Sequence, residues 1–220
     1  DGQVEYDYLI VAPGGATSFF GLQSVRERAF QLKGLSHAVR LRNHILNLFE
    51  QADGESDPER RRALMTFVIV GGGPTGVEFA GALEELIHHE LSRDFPGLDM
   101  KECRIILLEA RDAILPQVPP KLRLYSLKRL EAMGVEVRLN TQVKGAEDGK
   151  VLLADDSAIH SHTMVWSAGV QASPLADVPG VSRVANGRIS VLPDLSINGH
   201  GEVFVIGDTA FLEQDGKPLP

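Results

Sequence analysis

The stretch Met65-Thr66-Phe67-Val68-Ile69-Val70-Gly71-Gly72-Gly73-Pro74-Thr75-Gly76-Val77 decides how this chain folds. A mostly apolar run, suited to a strand covered on both faces, ends abruptly in glycine. Beyond it Val77, Ala80, Leu83, Ile87 and Leu91 step by three or four, the stripe of an amphipathic helix. A GxGxxG string alone is a weak signal, but between a strand and a helix each glycine has a task. Gly71 permits the tight turn, Gly73 lets the backbone approach a phosphate, and Gly76 lets the helix close on the strand. A helix opening near Thr75 presents unpaired amides and its positive end to the turn, an arrangement that holds a diphosphate. Gly71, Gly72, Gly73, Pro74, Thr75 and Gly76 are therefore the candidate pyrophosphate site. A glycine turn without a ligand is the bland alternative.

The pattern continues on both sides. Upstream, Tyr8 to Ala12 is a second apolar run, read as a strand covered on both faces, ending at Pro13-Gly14-Gly15. Residues 16 to 34 are mixed and turn-rich. A helix is expected over 36 to 51, capped by Ser36, with Val39, Leu46 and Phe49 on one side. Asp53 to Arg62 reads as an exposed connection in which Pro58 breaks any helix. Downstream, the strand Ile105 to Leu108 ends at Glu109. Pro119-Pro120 starts a helix striped by Leu124, Leu127 and Leu130, and Gly134 stops it. Val135, Val137 and Leu139 alternate with Glu136 and Arg138, as in a half-exposed strand. From Gln142 to His162, short strands separated by Glu147-Asp148-Gly149 and Asp155-Asp156-Ser157 predict an antiparallel meander. Met164 to Trp166 and Val203 to Ile206 are the last strands, the latter ending at Gly207-Asp208. The order predicts an α/β fold, a Rossmann-like doubly wound parallel sheet with an antiparallel meander insert.

Composition narrows the partners. With 220 residues, 43% of them hydrophobic, the chain can bury a sizeable core. A net charge of −8 argues against nucleic acid, which needs a surplus of Lys and Arg. The lone Cys103 permits neither an internal disulfide nor a CxxC redox pair and reads as a half-buried thiol. No apolar stretch is long enough to span a membrane. Metal binding is not expected either. His88 and His89 are adjacent and diverge on a helix, and His160 and His162 share a strand face without a recognisable third ligand.

Two acids flank the glycine loop. Glu109 ends the strand after the loop, where a carboxylate can bond ribose hydroxyls, although it lies 33 positions past Gly76 (109 − 76) against about 20 in the usual pattern. Such a carboxylate repels a 2′-phosphate by up to ~4 kcal/mol at about 4 Å and an effective dielectric of about 20, at most a thousandfold preference for NADH over NADPH. A solvated strand-end carboxylate is the alternative, and Arg111 would soften the repulsion. Glu78 reads either as an ordinary acid in the first helical turn or as a group facing the nicotinamide end.

The segment from Gly71 to Leu83, with Leu41-Arg42-Asn43-His44-Ile45 and Val165-Trp166-Ser167-Ala168-Gly169-Val170, resembles the two-dinucleotide-binding-domain flavoproteins. More narrowly it is similar to the type II NADH dehydrogenases, single-chain NADH:quinone oxidoreductases. The resemblance implies NADH and FAD as cofactors and hydride transfer from NADH to FAD, with electrons passing on to a quinone. It implies that Ala168 and Gly169 line the nicotinamide pocket and that Glu78 acts there by position or electrostatics. Gly14 and Asp208 would contact FAD, although Pro13 stands where the family usually carries a threonine, and Asp208 reads alternatively as a helix cap. By the same resemblance, residues 1–32 and 171–220 are partial edges of a flavin domain and 33–170 the NADH domain. The chain thus reads as a piece of a longer protein that attaches peripherally to the cytoplasmic side of a membrane, as a monomer or homodimer, its quinone site in absent segments. The alternatives are another flavoprotein reductase serving ferredoxin, oxygen or a disulfide, or a nucleotide-binding module without catalysis.

Overall fold

The computed structural model describes residues 2, 4–174, 181, 183–214 and 216–219. The chain opens with β1 (Leu9–Val11) and β2 (Gly15–Thr17), followed by α1 (Gln23–Arg28), β3 (Phe30–Gln31), α2 (Leu35–Gly54) and α3 (Pro58–Leu64). Then come β4 (Thr66–Val70) and α4 (Pro74–Glu85), which runs on through a π-helical segment, Leu86–Leu91, into the short α5 (Ser92–Asp94). Next are β5 (Arg104–Leu108), α6 (Pro120–Ala132), β6 (Glu136–Arg138), the meander β7 (Val143–Glu147), β8 (Lys150–Leu153) and β9 (Ala158–His160), and β10 (Thr163–Trp166). The chain continues through β11 (Val170–Ala172), β12 (Ile189–Ser190), β13 (Ser196–Ile197), β14 (His200–Val205) and β15 (Ala210–Phe211). Two compact units result, Phe19–Ala168 and the pair of segments Asp1–Ser18 with Gly169–Pro220.

The larger unit is built on five parallel strands in the order β3-β10-β4-β5-β6. The chain steps outward from β4 through β5 to β6, then returns to place β10 on the other side of β4. The strand order therefore reverses between β4 and β10, the crevice where doubly wound sheets bind ligands. One sheet face carries Phe67, Ile69, Ile105, Leu107 and Val165 against α2, α4 and α6, whose inward residues include Phe49, Ile45, Leu83 and Leu130. The other carries Val68, Val70, Ile106, Leu108, Met164 and Trp166 against the meander. All five residues of β4 are buried, which is why its sequence is unbroken apolar apart from Thr66.

Several local expectations are corrected. Pro58 does not break a helix but begins one, because proline is at home in the first turn and Asp57 caps it, its carboxylate accepting from the amides of Glu59 and Arg60. Ser36 is no cap; α2 starts at Leu35 behind Gly34. Its buried face is Leu41, Ile45, Leu48, Phe49 and Ala52, whereas Val39 is exposed. Leu124 is likewise exposed, leaving Leu127 and Leu130 to pack. The turn-rich span before residue 33 contains α1 and β3, and β3 pairs with β10, so the compact unit starts at Phe19.

His44 explains part of the Leu41–Ile45 block. Its ring packs on Phe30 at 4.5 Å between centroids, and Nε2 meets the Thr163 hydroxyl at 3.0 Å and the His162 carbonyl at 3.1 Å. This pins α2 to β3 and β10, and burial lowers the imidazole pKa from its usual value.

In the smaller unit, β1 pairs in parallel with β14, and β13 joins β14 antiparallel. Ile189, Ile197, Val203 and Val205 form its core. The expectation that the first strand is covered on both faces does not hold among the described residues. Ile10 is 65% exposed, because the apolar cluster packs only on the side of Leu9 and Val11.

Candidate functional site

The glycine loop sits at the C-terminal end of β4, beside the reversal of strand order. Its backbone is largely committed to the protein. The Gly71 amide donates to the Leu108 carbonyl at 2.8 Å, and the Gly72 amide donates to Glu109 Oε2 at 2.7 Å. The Gly72 carbonyl accepts from the Leu115 amide at 2.7 Å. From the other side of β4, the Ser167 hydroxyl lies 2.9 Å from the Val70 carbonyl and 3.1 Å from that of Gly71.

The glycines divide by what a side chain would meet. Gly71 holds φ +110°, and a Cβ there would fall 2.8 Å from the Ala168 nitrogen. At Gly76 a Cβ would lie 1.9 Å from the Gly71 carbonyl oxygen and 2.7 Å from Ser167 Oγ, so only glycine lets α4 seat against the turn. At Gly73, with ordinary φ of −74°, a Cβ would meet nothing within 4 Å. No packing reason within the described residues requires glycine at 73. That position borders open space at the mouth of α4, where Pro74 and Thr75 are exposed. Pro74 fills the first helical position and lacks an amide of its own. Among the described residues, no acceptor meets the amides of Gly73, Thr75 or Gly76, while the Val77 amide bonds the Gly73 carbonyl at 3.1 Å. A concave turn with unpaired amides and space beside an unobstructed glycine fits a phosphate-bearing group.

Glu109 stands over this turn, half-buried at the end of β5. Its two carboxylate oxygens accept separately, Oε2 from Gly72 and Oε1 from the Arg111 amide at 2.9 Å. Each oxygen keeps a lone pair for a further donor. The excess spacing from Gly76 is taken up by the π-helical segment, α5 and the turns before β5, which leave the strand end beside the loop. Glu78 is exposed and is the fifth residue of α4, hence in the second turn rather than the first, because the helix begins at Pro74. The dipole attraction invoked for a first-turn acid fades over that distance.

Sequence reasoning passed over the segment after β5. Ile114 presses its Cγ2 toward Gly72, where an added Cβ would be 2.8 Å away. Leu115, buried, adopts φ +53°, a conformation costly for a branched residue that is retained here by its bond to Gly72. Ser167 was also missed as a loop clamp. Its place at the end of the strand beyond the order reversal was the available signal.

Ala168 belongs to the same unit and abuts Gly71. Gly169 begins the other unit's return segment, with φ +76° and its carbonyl accepting from Ser18 at 3.2 Å. Within that smaller unit, the ends of β1 and β14 bring Gly14 and Asp208 together. Gly14 holds φ +70°, and its carbonyl accepts from the Ser173 amide at 3.1 Å and the Thr209 hydroxyl at 3.2 Å. Asp208 is exposed, and its Oδ2 lies so close to Gly15 that a Cβ there would be 2.6 Å away.

Cys103 is half-buried against the main core, and burial pushes its thiol up to about 12, which keeps it protonated. No cluster of three metal-ligating side chains occurs among the described residues. No helix among them is long and apolar enough to cross a membrane.

The sequence profile of the pyridine nucleotide-disulphide oxidoreductase family matches residues 1–219. The type II NADH:quinone oxidoreductase Ndh of Mycobacterium tuberculosis is 45% identical over 219 residues, covering 96% of this chain and 47% of that protein. NdhA of the same organism is 41% identical over 216 residues, covering 94% of this chain and 46% of its own length. The chain thus spans about half the length of these curated relatives. The structure of NDH2 from Plasmodium falciparum in complex with NADH superposes with a TM-score of 0.84 at 21% identity, over 94% of this chain and 44% of that one. At that identity the likeness speaks for the fold.

Proposed function

This chain belongs to the pyridine nucleotide-disulphide oxidoreductase family, and we propose that it carries the NADH site and part of the FAD site of a type II NADH:quinone oxidoreductase. The observation that carries the reading is Gly73. It is a glycine without a packing reason, next to unpaired amides, in a loop held by Glu109. In this reading the amides of Gly73, Thr75 and Gly76 take the pyrophosphate, with Gly71, Gly72 and Pro74 shaping the turn. Glu109, already fixed by two backbone donors, accepts from the adenosine ribose and repels a 2′-phosphate. Ala168 and Gly169, lacking bulky side chains, leave room for the nicotinamide. Glu78, exposed on α4, acts there by position or electrostatics.

FAD, when bound, would supply the hydride acceptor and the electron relay to the quinone. The residues of this chain that would hold it are the Gly14 turn and Asp208, with the Asp208 carboxylate available to a hydroxyl-bearing chain. Residues 19–168 are then the NADH module, and the two outer segments are parts of the flavin module. The exposed Tyr8 and Ile10 of the first segment are the surface on which the rest of that module would pack. The same reading brings peripheral attachment to the cytoplasmic side of a membrane, and a homodimer, as companion expectations for vesicle flotation and light scattering.

Calorimetry with NADH and NADPH tests the binding claim, with NADH favoured. Quinone-dependent NADH oxidation by the full-length, flavin-loaded protein tests the activity. A well-folded protein without affinity for NADH ends the proposal, and one that oxidises NADH only with ferredoxin or a disulfide ends its quinone half.

A further inference from the structure

On the meander side of the larger unit the structure contains a second crevice, of about 630 Å³, at the start of the central strands. Thr66, Arg104 and Arg138 of the sheet line it together with Lys150, Ile159 and His160 of the meander. Thr66 and Arg104 are register partners at the first positions of β4 and β5, and Arg104 and Arg138 both grip Glu136 at 2.7 Å. Burial opposes ionisation of Glu136, but these two hydrogen bonds outweigh it and hold its carboxyl below the usual range. One carboxylate thereby presets two guanidinium groups and leaves most of their N–H donors uncommitted. α3 supplies one wall with Arg60 and Arg62, and the start of β8 supplies the other with Lys150. His160 and His162 also line it.

Five cations line the crevice. The carboxylates Asp57, Glu59 and Asp148 line it too, and with Glu136 they leave a local charge of +1 in a chain of net −8. Part of this charge is paired within the crevice: Glu136 with Arg104 and Arg138, and Asp57 with Arg60 as well as with the amides that open α3. Arg62 and Lys150, by contrast, have no ion-pair or hydrogen-bond partner for their side chains among the described residues. The volume falls within the range of small-ligand sites. Thr66 and Arg104 open β4 and β5, five residues or roughly 17 Å from the glycine loop, whereas Arg138 ends β6 opposite Leu108 and reaches Glu136 with its side chain.

We infer that this crevice binds a small phosphate-bearing anion, held by Arg62 and Lys150 from the walls and by Arg104 and Arg138 from the sheet. Bidentate guanidinium contacts suit phosphate oxygens, and the lysine adds a point charge. The inference is independent of the NADH reading, because no residue is shared.

The test titrates inorganic pyrophosphate into the purified protein with NADH saturating, so that the glycine loop is filled. Binding that weakens at least tenfold in the double variant Arg62→Ala and Lys150→Ala, while NADH affinity changes less than twofold, is expected. The charge-conserving pair Arg62→Lys and Lys150→Arg retains pyrophosphate binding and guards against a folding artefact. Vesicles of phosphatidylglycerol in phosphatidylcholine separate two sources of the same chemistry. Capture by these vesicles that the alanine pair abolishes assigns the anion to a lipid headgroup; pyrophosphate binding without capture assigns it to a soluble compound. Absence of both, or binding that the alanine pair leaves unchanged, overturns the inference.

Discussion

Gly73→Ala separates a ligand's need for glycine from the protein's own. The added methyl group meets no atom within 4 Å, and φ is −74°, so the folded backbone accepts alanine without strain. Gly73 is the N-cap of α4, and alanine is a poorer cap than glycine by roughly 0.5–1 kcal/mol. Alanine also restricts the unfolded chain, which returns about 0.4–1 kcal/mol. The two terms nearly cancel, and urea unfolding should place the variant within about 0.5 kcal/mol of wild type. Binding is another matter. A phosphate drawn against the Gly73 amide would have to share its space with the methyl group, and a loss of about 1.4 kcal/mol or more is at least tenfold in Kd. Calorimetry with NADH on the same preparation measures it. Unchanged NADH affinity in a variant of unchanged stability would show that the open space beside Gly73 is not where the dinucleotide lies.

Gly76→Ala should act in the opposite order: its Cβ would stand 1.9 Å from a backbone oxygen that needs about 3.3 Å, so stability falls by about 1–3 kcal/mol, and an unfolding midpoint equal to wild type would refute the packing argument. Glu109→Gln replaces one of two acceptors with a donor that faces the Gly72 or Arg111 amide, costing about 1–3 kcal/mol of stability while raising the NADPH-to-NADH affinity ratio, both read by parallel titrations and melts; an unchanged ratio argues against Glu109 as the discriminator. His44 has a folded pKa below 6.5, so the unfolded state binds its proton first and stability declines as pH falls below 6.5 towards the folded value; in urea titrations His44→Gln should flatten that slope, while the contribution of Glu136 is lost only below about 4.5. Alkylation of Cys103 in the native protein near neutral pH should run about a thousandfold slower than in the unfolded chain, since a pKa raised from 9.0 to about 12 removes that factor of thiolate, and rapid native labelling would contradict it.

What the sequence carried was local and periodic. The run of β4, the glycine loop and the stripe of α4 are contiguous, and their physics is settled within a few residues, so strand, turn and helix could be read together. The meander was legible for the same reason, its turns marked by Glu147-Asp148-Gly149 and Asp155-Asp156-Ser157. Elements made by partners far along the chain were not legible. β3 is two residues long and exists because β10, more than 130 positions later, offers it a parallel edge. The first turn of α4 depended on Pro74 continuing from Gly73, which moved Glu78 one turn inward. Pro58 read as a breaker until Asp57 was seen to cap the helix it begins.

By itself, then, the sequence determined that a strand, a glycine turn and a helix follow one another and which glycines compose the turn, because strand period, helix period and turn chemistry are short-range. Only the tertiary structure decided that Gly73 is free of packing duty while Gly76 is not, that Glu109 spends both oxygens on backbone amides, that Ser167 and Leu115 clamp the loop from opposite sides, and that arginines from β5 and β6 share one carboxylate at a second crevice. Those facts rest on distances between residues tens of positions apart, which chain topology sets and local propensity does not encode.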